Sequence, residues 1–94
     1  MELGIKDKTA LVLGGAGGLG SAIALALGRE GCKVALADIN GDELSVVAKR
    51  LQVQGTKAFA QVWDIGDLSV ARSNLDRITS KVGPIDILVN NTGG

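Results

Sequence analysis

The 94-residue chain has no histidine, no tyrosine, one cysteine and one proline, and its aromatic residues are one tryptophan and one phenylalanine. Without histidine, neither a histidine general base nor a Ser-His-Asp constellation can be assembled. One cysteine and scattered carboxylates are poor material for a metal site, so none is expected. Cys32 alone forms no internal disulfide, which fits a reducing, cytoplasmic setting and a structural thiol. Ten basic residues balance ten acidic ones for a net charge of zero, so no basic footprint for nucleic acid is present. No N-terminal signal pattern is visible. The uncharged run from Thr9 to Gly28 is long enough to cross a bilayer. A block of glycines interrupts it and breaks such a helix, so no membrane partner is expected.

Apolar residues make up 46% of the chain, ample for the core of one small domain. The organising stretch is LVLGGAGGLGSAIALALG, Leu11 to Gly28. An apolar run stops at glycines, and the glycines lead into an Ala/Leu-rich segment with helical spacing. This is the pattern of a strand, a tight turn and a helix with an open N-terminus. Such a helix start offers unpaired N–H groups and partial positive charge to a phosphate. The glycines fit two parses, Gly15-x-Gly17-x-x-Gly20 and Gly14-x-x-x-Gly18-x-Gly20. Both read as a dinucleotide-binding turn, because Asp38 follows about 20 residues on. No lysine follows with P-loop spacing, which removes the ATPase and GTPase motif.

The rest of the chain alternates. Strands are expected at Thr9–Leu13, Lys33–Asp38, Thr56 to Gln61 or Val62, and Ile85–Val89. Helices are expected from Gly18 to about Glu30, from an Asn40/Glu43 capping box to about Gln54, and from an Asp67 cap through Val82. The first helix should bury Ala22, Ile23, Ala26 and Leu27. The second should bury Leu44, Val47, Ala48 and Leu51. Alternating strands and helices imply an α/β fold, a half Rossmann arrangement of four parallel strands in the order 3-2-1-4. Two helices cover one face and the third covers the other. Asp38 ends the second strand, where it can accept both hydroxyls of a ribose and repel a 2′-phosphate, or cap the next loop. Asp64 can meet an adenine amino group or cap a turn. Trp63 reads as core or rim.

These residues resemble the N-terminal half of a short-chain dehydrogenase/reductase. The resemblance covers essentially the whole chain. It rests on Gly14-x-x-x-Gly18-x-Gly20, Asp38, Asp64-Ile65 and Asn90-Asn91-Thr92-Gly93. It implies that Gly14, Ala16, Gly17, Gly18, Leu19 and Gly20 wrap a pyrophosphate. Asp38, with Ile39 beside it, would hold the adenosine ribose, and Asp64 and Ile65 would line the adenine pocket. Asn90, Thr92 and Gly93 would border the cofactor and brace the sheet. Leu13 stands where the family usually has Thr, and Thr92 where it usually has Ala. The family's catalytic Ser and Tyr-x-x-x-Lys pair belong to a second half that these residues do not include. The expectation is therefore an NAD-binding half-domain over residues 1–94, preferring NAD to NADP and catalytically incomplete by itself. The exposed fourth strand or a bare sheet face would drive a homodimer or higher oligomer. The competing readings are a self-associating fragment that binds no nucleotide, and a methyltransferase-like fold, which the Asn90–Gly93 corner disfavours.

Overall fold

The computed structural model describes residues 4–92. Four strands form one parallel sheet in the order β3-β2-β1-β4: β1 Thr9–Leu13, β2 Lys33–Asp38, β3 Ala58–Val62 and β4 Ile87–Asn90. Helices α1 (Gly18–Arg29), α2 (Gly41–Val53) and α3 (Ala71–Val82) carry the chain between them. The expected order and the expected alternation are both present.

Strand pleating splits the core into two. Val12, Val34 and Leu36 point to the face covered by α1 and α2, with Ala24, Leu44, Val47 and Leu51. Leu11, Leu13, Ala35 and Ala37 point to the other face, beneath Ile78 and Val82 of α3. All five residues of β1 are buried, because this strand is flanked on both edges and covered on both faces. Burying each of these Leu and Val side chains contributes about 1.5–3 kcal/mol, which holds the helices to the sheet.

Several boundaries differ from expectation for local reasons. β3 begins at Ala58, not Thr56, because the Thr56 amide donates to Leu51 O at 2.9 Å and so belongs to the end of α2. β4 runs from Ile87 to Asn90, not from Ile85 to Val89. At its entry the Asp86 carboxylate accepts from Thr9 N at 2.9 Å, so a side chain does the work of a ladder partner. Asp67 caps a 3₁₀ turn, Leu68–Val70, and α3 starts only at Ala71. In α2 the buried stripe is Leu44, Val47, Ala48 and Leu51, as the spacing requires. In α1 the buried residues are Gly20, Ala24 and Leu25, while Ala22 and Ala26 are exposed. Apolar residues surround this helix, so periodicity could not choose a face. The seat of Gly20 against the preceding turn chose it.

Candidate functional site

The carboxyl ends of the strands meet at an open cleft of about 370 Å³. Its wall is formed by Gly14, Gly17, Asp38, Ile39, Trp63, Asp64, Ile65, Gly66, Asn91 and Thr92. Four strand ends contribute to it, as expected where a parallel sheet reverses its winding.

The glycine turn is held from two sides. Gly14 N and Gly15 N both donate to Ala37 O, at 2.8 and 3.2 Å, which keeps the turn stitched to β2. Asn91 N donates to Leu13 O at 2.9 Å, which ties it to the end of β4. Gly14 has φ +76°, and a Cβ there would run into the carbonyl of Asn91. Gly20, in the first turn of α1, sits directly against the carbonyl of Gly14 and likewise has no room for a Cβ. Gly18 differs, since a Cβ there would meet nothing within 4 Å.

Helix α1 begins at Gly17, an extended N-cap that supplies no side-chain acceptor, and its first turn holds no acidic residue. Its opening N–H groups therefore keep their capacity for an external anion.

Asp38 is the junction of the site. One carboxylate oxygen accepts from Ala16 N at 3.0 Å and the other from Asn40 N at 3.1 Å. The Asp38 carbonyl accepts from Trp63 N at 2.9 Å. The side chain thus braces the glycine turn and the entry to α2, and each oxygen retains a lone pair. Asn40 performs half of the expected capping box. Its Oδ1 accepts from Glu43 N at 3.1 Å, but its own N–H goes to Asp38.

Beyond β3, Asp64 turns the chain. Its Oδ1 accepts from Gly66 N at 3.0 Å and its carbonyl accepts from Asp67 N at 2.9 Å, which sets Ile65 and Gly66 on the wall. Trp63 is both core and rim: it lines the cleft yet is only 6% exposed. Its indole Nε1–H has no acceptor among the described residues. Beyond β4, Asn90 Oδ1 accepts from Thr92 N at 3.1 Å and from Thr92 Oγ1 at 2.6 Å.

Of the residues singled out from the sequence, Gly14, Gly17, Asp38, Ile39, Asp64, Ile65 and Thr92 come together on the wall. Ala16 stands behind it, with its amide held by Asp38. Gly18 and Leu19 lie on the exposed first turn of α1, Leu19 at 65% exposure. Gly20 is buried beneath the turn, and Asn90 acts through Thr92. Gly93 lies outside the described residues. The wall also includes Asn91, part of the Asn90–Gly93 corner, Trp63, which reads as core or rim, and Gly66, which was not assigned to the site. Gly66 carried a readable signal, since Asp64-Ile65-Gly66 is a turn sequence. Asn91 was readable as part of its corner motif, but not its contact with Gly14, which its backbone carbonyl makes.

The wall holds two carboxylates, Asp38 and Asp64, and neither lysine nor arginine. Any favourable field for a phosphate comes from the α1 N-terminus alone. Among the described residues, no group of three His, Cys, Asp or Glu side chains is placed to hold a metal. No described helix is long and apolar enough to cross a membrane.

Comparison with known proteins bears on the same residues. The family model for short chain dehydrogenase matches residues 8–94. A short chain dehydrogenase/reductase of Macrophomina phaseolina is 42% identical over 88 residues, which cover 93% of this chain and 50% of the relative. The solved hydroxysteroid dehydrogenase from Escherichia coli superposes with a TM-score of 0.90 at 37% identity, over 96% of this chain and 38% of that one. The solved L-sorbose reductase from Gluconobacter frateurii, complexed with NADPH and L-sorbose, gives 0.93 at 30% identity, over 100% of this chain and 36% of that one. The chain thus spans between about a third and a half of the length of these relatives.

Proposed function

The chain belongs to the short-chain dehydrogenase family, and we propose that these residues form its nicotinamide-dinucleotide-binding half, taking NAD(H) in preference to NADP(H). The observation that carries the reading is the uncapped N-terminus of α1 opening beside a cleft whose far wall is Asp38, Asp64 and Ile65. A pyrophosphate fits the α1 end through backbone N–H groups and the helix dipole. Gly18 supports this. The protein imposes no steric demand for glycine there, whereas a ligand approaching the backbone does.

The choice between the two dinucleotides rests on charge. A ribose diol can donate to the free lone pairs of Asp38. A 2′-phosphate on the same ribose would face the carboxylates of Asp38 and Asp64 with no cation on the wall. The Ala16 N–H, a natural phosphate donor, is already given to Asp38. The sorbose reductase is complexed with NADPH on the same fold, so the preference proposed for this chain rests on Asp38 and not on the fold.

The chemistry of the bound group is hydride transfer to or from the nicotinamide. These 94 residues contain no tyrosine and no histidine to deliver the accompanying proton. Their part is to bind and orient the dinucleotide, and they are expected to be inactive alone. The unit also self-associates through β4 in this reading, since Leu88 is 62% exposed on a strand paired only with β1 among the described strands.

The test is an equilibrium titration with NADH, NADPH and AMP, read by the fluorescence of Trp63 and by calorimetry. Saturable NADH binding, tighter than NADPH, is expected. Asp38→Ala is expected to weaken NADH by about tenfold, equivalent to about 1.4 kcal/mol, and to narrow the gap to NADPH. Absence of heat and quenching up to millimolar nucleotide would sink the reading and leave a non-binding fragment.

A further inference from the structure

A second groove lies between α1 and α2, from the middle of α2 to the C-terminal ends of both helices. These helices run back against the strands, so the groove sits at the opposite end of the molecule from the cleft and shares no residue with it. Its volume is about 480 Å³. Leu25, Val46 and Val53 supply an apolar surface, and Arg29, Lys49 and Arg50 surround it. No carboxylate lines it. The acidic residues of α2, Asp42 and Glu43, lie in its first turn at the far end, and Glu30 is the C-cap of α1, off the groove wall. The chain as a whole is neutral, so this is a local concentration of positive charge.

Helix-dipole compensation accounts for part of it. Arg29 and Arg50 sit in the last turns of α1 and α2, where cations are favoured. It does not account for the valines. Val46 is 60% exposed and Val53 is 82% exposed, on one stripe of α2 with Lys49 and Arg50. Two bare valines bracketed by three cations on a neutral protein form a matched pair of surfaces, apolar along the groove and cationic around it.

We propose that this groove binds a single-chain anionic amphiphile of the fatty-carboxylate class. The tail lies along Val46 and Val53 against Leu25, and the carboxylate is held among Arg29, Lys49 and Arg50. From Val46 to Val53 the stripe runs about 10 Å at the rise of an α-helix, roughly two turns. That length suits a medium acyl chain better than a docked partner helix of ordinary length. The volume also falls within the roughly 300–1,000 Å³ range of small-molecule sites. All of the groove's lining comes from α1, α2 and the residue after α2, and these helices pack on β1, β2 and β3, away from the open edge at β4.

The test is a titration of the 94-residue chain with monomeric decanoate, followed by methyl and amide NMR. Saturable shifts confined to Leu25, Val46, Val53 and their neighbours are expected. The combined Arg29→Gln, Lys49→Gln, Arg50→Gln variant should bind about tenfold more weakly, as loss of three exposed charge contacts implies. Unchanged β-sheet amide signals will show that this variant keeps its fold, and Lys49→Gln alone serves if it does not. Decyltrimethylammonium should produce no such shifts. Equal binding of the cationic amphiphile, undiminished affinity in the variant, or shifts centred on Leu88 would each overturn the assignment. So would binding to phosphatidylglycerol vesicles without binding of monomeric decanoate, which would make the groove a membrane-surface contact.

Discussion

Gly14 and Gly18 stand on the same turn and answer to different constraints. Gly14 needs its left-handed backbone and its closeness to Asn91, so Gly14→Ala is expected to destabilise the fold by about 1–3 kcal/mol from backbone strain alone. Gly18 meets nothing, so Gly18→Ala should leave the melting temperature unchanged or slightly higher and still weaken NADH by about tenfold. Thermal melts and titrations of the two variants separate a glycine kept for the fold from one kept for a ligand. Cys32 gives a second residue-scale expectation. It is buried, and its thiol donates to Ile5 O at 3.4 Å. Burial, then the charges of Glu30 and Asp86, push its pKa above the ordinary 9.0. The folded state therefore holds the proton more tightly than the unfolded chain. This contribution is complete below the ordinary thiol value and is lost as pH rises through and above it. Denaturant melts from pH 7 to 10 should show stability falling more steeply for the parent than for Cys32→Ala. A parallel fall would remove Cys32 from the account. At this scale the sequence was informative at Asp38, where a side chain carries the interaction. It was silent on the Gly14–Asn91 approach, where backbone meets backbone.

Among the elements, the strands and α2 were legible because each carries an unambiguous pattern. β1 and β2 are centre strands with apolar interiors, Ala10–Leu13 and Val34–Ala37, and α2 alternates four buried residues with charged ones. The face of α1 was not legible, since a helix whose only polar side chains are Ser21 and Arg29 has no polar stripe to set against solvent. At the starts of β3, β4 and α3 the boundary coincides with a particular hydrogen bond: Thr56 N to Leu51 O, Thr9 N to the Asp86 carboxylate, and Ser69 N to Asp67 Oδ1 at 3.0 Å. The cap on α2 gives a direct measurement. Asn40→Ala removes the acceptor for Glu43 N and should cost about 1 kcal/mol, lowering the melting temperature by about 4–8 °C in a domain of this size. Asn40→Asp should restore most of it. An unchanged melting temperature in Asn40→Ala would mean that the bond from Asn40 N to Asp38 already secures the helix entry.

For the molecule as a whole, the parallel order made the position of the cleft readable in advance, and the composition of its wall only partly so. The unbalanced feature is β4. α3 packs over β3 and β2, which leaves Leu88 bare on the same face. If this surface drives association, sedimentation at tens of micromolar should show a dimer or larger species, and Leu88→Asp should return it to monomer. A parent chain that sediments as a monomer would contradict self-association. The contact between Gly14 and Asn91 has one more effect, on the order of events. The two residues lie far apart in the sequence, and the turn packs directly against the carbonyl of Asn91. On a chain emerging from its N-terminus, β1, β2 and β3 can pair and be covered by α1 and α2 while β4 is still unmade. Through that interval the glycine turn has a floor but no wall. The cleft is therefore not finished until β4 has docked, and a ligand has nothing well shaped to hold before then.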